Sequence, residues 1–69
     1  MTLAEFRSRA KDKSNSVVGL ANRYAIYRAN KKVVRKPYEL TSHYVSRFNK
    51  VYEAEYRKYK SMINKIRSN

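Results

Sequence analysis

From Val45 to Ile66 the large apolar residues recur at alternating spacings of three and four, as Val45, Phe48, Tyr52, Tyr59, Met62 and Ile66. A helix gathers such positions on one face, because each residue advances about 100° around the axis. Tyr56 and Ile63 widen that face to roughly 140°. Arg47, Lys50, Arg57, Lys58, Lys60, Lys65 and Arg67 all fall outside the arc. The pattern predicts a helix over residues 42–67, roughly 39 Å long, with one apolar-aromatic side and one cationic side. Leu40, Thr41 and Val45 read as its start, a hydrophobic staple around a Thr41 cap. Glu55 breaks the heptad pattern, standing where an apolar residue belongs. An ionised carboxylate there needs a cation opposite it, with Arg28 and Lys31 as the candidates, unless it sits at the edge of the packed region.

The remaining chain also reads as helical. One Gly and one Pro in 69 residues argue against a turn-rich β fold. Thr2 and Glu5 form a capping-box pattern, with Leu3, Phe6 and Ala10 on one face, so a helix is expected over 3–13. Ser14, Asn15 and Ser16 offer three caps in a row and mark a break. A second helix is expected over 17–30, with Val17, Leu20, Ala21, Tyr24 and Tyr27 on its stripe and Ile26 on the opposite side. Gly19 weakens that helix or lets another backbone come close. Residues 31–40 form the connector, where Pro37 pushes Lys36 out of helical geometry. The expected fold is all-α, one small domain of two or three helices with a long amphipathic C-terminal helix. The first two helices are expected on the N-terminal half of the third. Its apolar stripe then runs on past what they cover, and Tyr59, Met62, Ile63 and Ile66 are expected to support self-association into a homo-oligomer.

A chain this short builds a marginal core, and the usual staples are missing. It has no Cys and one His, His43, which leaves no disulfide, no thiolate zinc site and no His cluster. No metal or cofactor is expected. The first 15 residues contain no apolar run and the longest apolar stretches are far too short to span a bilayer. A soluble, cytoplasmic protein with no membrane partner is expected (in the host cytoplasm, if the chain is viral). Catalysis lacks a constellation. Glu53 and Glu55 lie two apart on a helix and diverge by about 200°, Ser42 and His43 have no orienting acid, and a single Gly makes no phosphate loop. The expected protein is not an enzyme.

Charge supplies the positive argument. Seventeen Lys and Arg against five Asp and Glu give a net +12. A solvated surface would mix the signs, and an excess this large carries a cost in self-repulsion that a polyanion relieves. Lys31, Lys32, Arg35 and Lys36 make the connector the densest positive segment. Tyr24, Tyr52, Tyr59 and Phe48 fall on the core stripes. Tyr27, Tyr38 and Tyr44 lie among cations, where a ring can stack on an unpaired base while the cations hold phosphates. The expected function is nucleic-acid binding, with RNA or single strands favoured over sequence-specific duplex DNA. Its expected carriers are Lys31, Lys32, Arg35, Lys36, Tyr38, Tyr44, Arg47, Lys50, Arg57 and Lys58. No helix-turn-helix spacing is present, since about ten residues separate the second and third helices where about three or four are needed. The competing expectation is a small basic inhibitor or modulator of the kind viruses and mobile elements encode. It would dock on an acidic protein such as a nuclease, toxin or polymerase, with or without RNA.

Overall fold

The computed structural model describes residues 1–68 and contains three helices: α1 (Leu3–Lys11), α2 (Val17–Lys32) and α3 (Thr41–Ser68). Helix α1 starts at Thr2, whose hydroxyl accepts from the Glu5 N–H at 3.2 Å. Glu5 in the first turn and Arg9 and Lys11 in the last suit the helix dipole. The helix stops two residues short of the expected Lys13. Asp12 turns extended, and its carboxylate accepts from the Ser14 N–H (3.0 Å) and hydroxyl (2.8 Å). A short side chain thus competes with the helical hydrogen bonds. Ser16 then caps α2, accepting from the Gly19 N–H at 3.2 Å. A methyl group at Gly19 would meet only Ser16, at ordinary contact distance. No other backbone approaches there among the described residues.

Helix α2 runs two residues past the expected Asn30, so Lys31 and Lys32 form its last turn. Basic side chains suit a helix C-terminus. Val33 ends it, extended and buried, while Val34 is exposed. Helix α3 begins one residue earlier than expected. The Tyr44 N–H bonds to the Leu40 carbonyl at 3.0 Å, which makes Leu40 the cap and places Thr41 inside the helix. Leu40 and Val45 are both exposed, so the expected staple is not packed.

Helices α2 and α3 form an antiparallel hairpin, with Val34 beside Arg47 and Tyr24 against Tyr59. Along their contact Ala21, Ala25 and Ala29 are fully buried at spacings of four. This is an i±4 ridge small enough for close helix approach. Helix α1 packs against the C-terminal half of α3, which corrects the expected placement on the N-terminal half. Phe6 contacts Tyr59 (ring centroids 5.2 Å apart), and Arg67 reaches the end of α1. The core is Phe6, Ala10, Leu20, Ala21, Tyr24, Tyr59 and Ile63. Its aromatic centre stacks Phe6 on Tyr24 at 4.5 Å and sets Tyr59 edge-on to both. Such pairs add about 0.5–1.5 kcal/mol each beyond burial.

That packing also corrects the self-association surface. Tyr59 and Ile63 are buried within the chain, and Met62 and Ile66 pack against the same core. Helix α1 covers the part of the stripe that had been expected to remain open. Glu55 is buried too, and its partner is Lys32, one residue beyond the expected Lys31. The added turns of α2 put Lys32 within reach. Arg28 is half-buried but does not pair with Glu55; its Nε and the Glu55 Oε2 are buried without a hydrogen-bond partner among the described residues. The molecule is a rod of 46 × 18 × 15 Å, with the connector at one end and the α1–α2 break toward the other.

Candidate nucleic-acid interface

The connector is an ordered structure. Lys36, Pro37, Tyr38 and Glu39 form a turn closed by a 3.1 Å bond from the Glu39 N–H to the Lys36 carbonyl. Pro suits the second position of such a turn, and the third takes a left-handed conformation, for which Gly is the usual choice. Here the third residue is Tyr38, at φ 65°, the one non-glycine with positive φ among the described residues. That geometry costs on the order of 1 kcal/mol, and it leaves the Tyr38 side chain fully exposed.

Charged groups hold the turn in place. The Glu39 carboxylate accepts from the Lys36 N–H at 3.1 Å and from both ends of the Arg47 guanidinium, at 2.8 and 2.7 Å. Arg47 also donates to the Val34 carbonyl at 2.9 Å. Arg35 donates to the Glu39 carbonyl (3.3 Å) and the Thr41 hydroxyl (2.8 Å). The Arg47 hydrogen bonds are the main reason the Glu39 carboxyl is held down to about 2, and the same pairing raises the Arg47 pKa. A two-pronged Arg–carboxylate pair is both directional and strong.

These bonds sort the expected contact residues. Arg47 serves the connector itself and is not a free phosphate ligand, which corrects its expected role. Arg35 is partly committed in the same way and lies 5.9 Å from the Tyr44 ring centroid. Lys32 pairs with Glu55 while keeping about half of its side chain exposed. Lys31 is exposed and sits 4.7 Å over the Tyr27 ring. Lys36 and Tyr38 are open to solvent. Tyr44 is half-buried beside Phe48, and Tyr27 is half-buried beside Tyr24, so neither is as free as Tyr38. Phe48 and Tyr52, expected in the core, are also half-buried, and the Tyr52 hydroxyl donates to Asn22.

Lys50 and Arg57 lie seven residues apart on the outward face of α3, and both are exposed. Lys58 is exposed on a different flank, 5.3 Å from the Tyr59 ring centroid. Arg57 is about 24 Å along α3 from its start. The ten residues therefore divide between the connector end and the body of α3. His43 is exposed, and of the two carboxylates weighed for catalysis Glu53 is exposed while Glu55 is buried. No helix among the described residues is long and apolar enough to cross a membrane.

Two arginines had roles that the sequence did not reveal. One is the Arg47–Glu39 clamp. The other is Arg67, whose guanidinium donates to the carbonyls of Ala10 (2.8 Å), Asp12 (3.0 Å) and Asn15 (2.6 Å). It thereby satisfies carbonyls that the end of α1 leaves open. A lone acid inside a basic segment was a usable hint for Glu39. Nothing comparable marks Arg67. The chain matches no protein-family model, no curated protein and no solved structure.

Proposed function

We propose that this chain is a non-catalytic nucleic-acid-binding protein that favours RNA or single strands over sequence-specific duplex DNA. The observation that carries the proposal is the unneutralised charge: among the described residues only two of the 17 Lys and Arg side chains are ion-paired, Lys32 and Arg47. Apart from the half-buried Arg28, the others face solvent or bond to neutral groups, so self-repulsion persists in the fold and a polyphosphate backbone relieves it. Phosphate contacts come from Lys31, Lys36 and the outward cations of α3. Tyr38, held out on a stapled turn, gives an unpaired base a ring to stack on. The core is already filled by α1, so binding uses the surface and requires no opening of the bundle.

Electrophoretic mobility shifts with unstructured RNA, structured RNA, single-stranded DNA and duplex DNA across a salt series test this. Affinity should fall steeply with salt, with single-stranded ligands bound most tightly. Absence of binding to every nucleic acid near physiological salt would overturn it. A second reading has one observation in its favour. Val34, Leu40 and Val45 are exposed in the connector and the start of α3, which suits a small basic modulator docking on an acidic protein. Under that reading, retention of one acidic protein should survive nuclease treatment and fail when Val34 and Leu40 are changed to Ser.

A further inference from the structure

The C-terminal half of α3 carries a second cationic surface, well away from the connector. A shallow depression on its outward side is lined by Arg57, Lys60, Ser61, Asn64, Lys65 and Ser68. Arg57, Ser61, Asn64 and Ser68 follow at spacings of four, three and four, so they form one straight stripe on the helix. Lys60 and Lys65 stand on its two rims. The depression therefore has neutral hydrogen-bonding side chains along its floor, cations at its head and both rims, and no carboxylate among the described residues that line it.

None of the three cations is ion-paired among the described residues. Lys60 rests 5.9 Å from the Tyr56 ring centroid, which directs it without neutralising it. The nearest acids in sequence lie outside the depression: Glu55 is buried and paired with Lys32, and Glu53 is exposed one turn before Arg57. Beside it a second depression is lined by Lys11, Lys13, Ile66 and Arg67, which continues the positive surface onto the end of α1. Asp12 lies between those two lysines in sequence; Ser14 donates to its Oδ1 and favours its charged form, so it offsets part of the positive charge there. The C-terminus of α3 presents carbonyl groups, so its dipole repels an anion. Any attraction must come from the side chains.

We infer that this face is a second phosphate-binding track, one that holds successive phosphates of a nucleic-acid strand. The inference rests on the nucleic-acid reading above. From Arg57 to Ser68 the stripe runs about 16 Å, which spans several phosphates of one strand. Arg57 supplies a planar fork suited to a phosphate, Lys60 and Lys65 supply point charges, and Ser61 and Asn64 can donate between them, while the Ser68 hydroxyl donates to the Lys65 carbonyl at 3.0 Å. Tyr38 lies about 30 Å away along the rod, the axial length of about nine stacked nucleotides. One strand that reaches both places would be stacked at the connector and held by its backbone at the far end.

The test compares two charge-matched triple variants, Arg57→Gln/Lys60→Gln/Lys65→Gln and Arg7→Gln/Arg9→Gln/Arg23→Gln, each titrated with a 20-nucleotide oligouridylate across a salt series. The first should bind on the order of tenfold more weakly and show a salt slope lower by about 2, since single strands lose roughly 0.7 per phosphate contact. The second should lose far less. Both should retain the wild-type helical circular dichroism, which separates loss of contact from loss of fold. Equal losses for the two variants, or none for the first, would overturn the track while leaving the nucleic-acid reading intact. Failure of the wild-type protein to bind would defeat the nucleic-acid reading itself.

Discussion

The two ends of the rod are held together by different physics. At the α1 end, Phe6, Tyr24, Tyr59 and Ile63 are buried against one another, and Arg67 ties down the loose carbonyls. At the connector end Val34, Tyr38 and Leu40 are exposed, and order comes from Glu39, Arg47 and Arg35. Burial resists salt and acid, whereas charge-assisted bonds near the surface respond to both. A strained turn and a displayed ring therefore occur at the end whose restraint is polar. The well-packed end carries the stability that the chain can offer.

The comparison breaks most severely at Phe6. Phe6→Ala should cost about 3–5 kcal/mol, enough to unfold a domain this small. Phe6→Leu should leave a folded protein with a lowered midpoint, read by urea denaturation. An unchanged midpoint for Phe6→Leu would show that the aromatic stack is not the source of stability. Acid should sharpen the contrast at the other end. Glu39 ordinarily titrates near 4.5 and is held at about 2 in the fold. A depressed carboxylate contributes fully above 4.5, and its contribution is lost as pH falls through about 2. Amide protection over 35–41 should collapse in that window before the rings of Tyr24 and Tyr59 lose their dispersed signals. Asp12 is also lowered, by its Ser14 hydrogen bonds, but it orders the break and not the aromatic stack. Simultaneous loss at both ends would mean that the connector and core are one cooperative unit. The smallest effect belongs to Gly19→Ala, which should stabilise the protein by about 0.5–1 kcal/mol because only Ser16 lies near the added methyl. A lowered melting temperature would contradict that open surrounding.

Much of the helical architecture was readable because local chemistry specified it. Thr2 and Ser16 are side-chain caps, Pro37 stands in the turn of the connector, and the long stripe of α3 has an unmistakable period. What the pattern could not locate was the position of α1. The α3 stripe is about equally apolar at Phe48 and at Ile63, so periodicity alone does not choose a half. The Ala21, Ala25 and Ala29 ridge was equally quiet, because alanine adds little hydrophobicity while permitting close approach. The candidate interface was legible as a charge density and not as an arrangement. Tyr38 and Lys36 stand free as the composition suggested, but Arg47 is bound to Glu39 across eight residues, a relation without helical periodicity.

Arg67 adds a constraint on the order in which the molecule assembles. It is separated from Ala10 by 57 residues along the chain and from Asn15 by 52. Helix α1 can form early from its own cap, but its last carbonyls find their donors only after nearly all of α3 has left the ribosome. The α2–α3 hairpin closes over a shorter loop and is entropically cheaper to form. Phe6 can stack on Tyr24 as soon as α2 forms, but the end of the first helix made is the last part fastened.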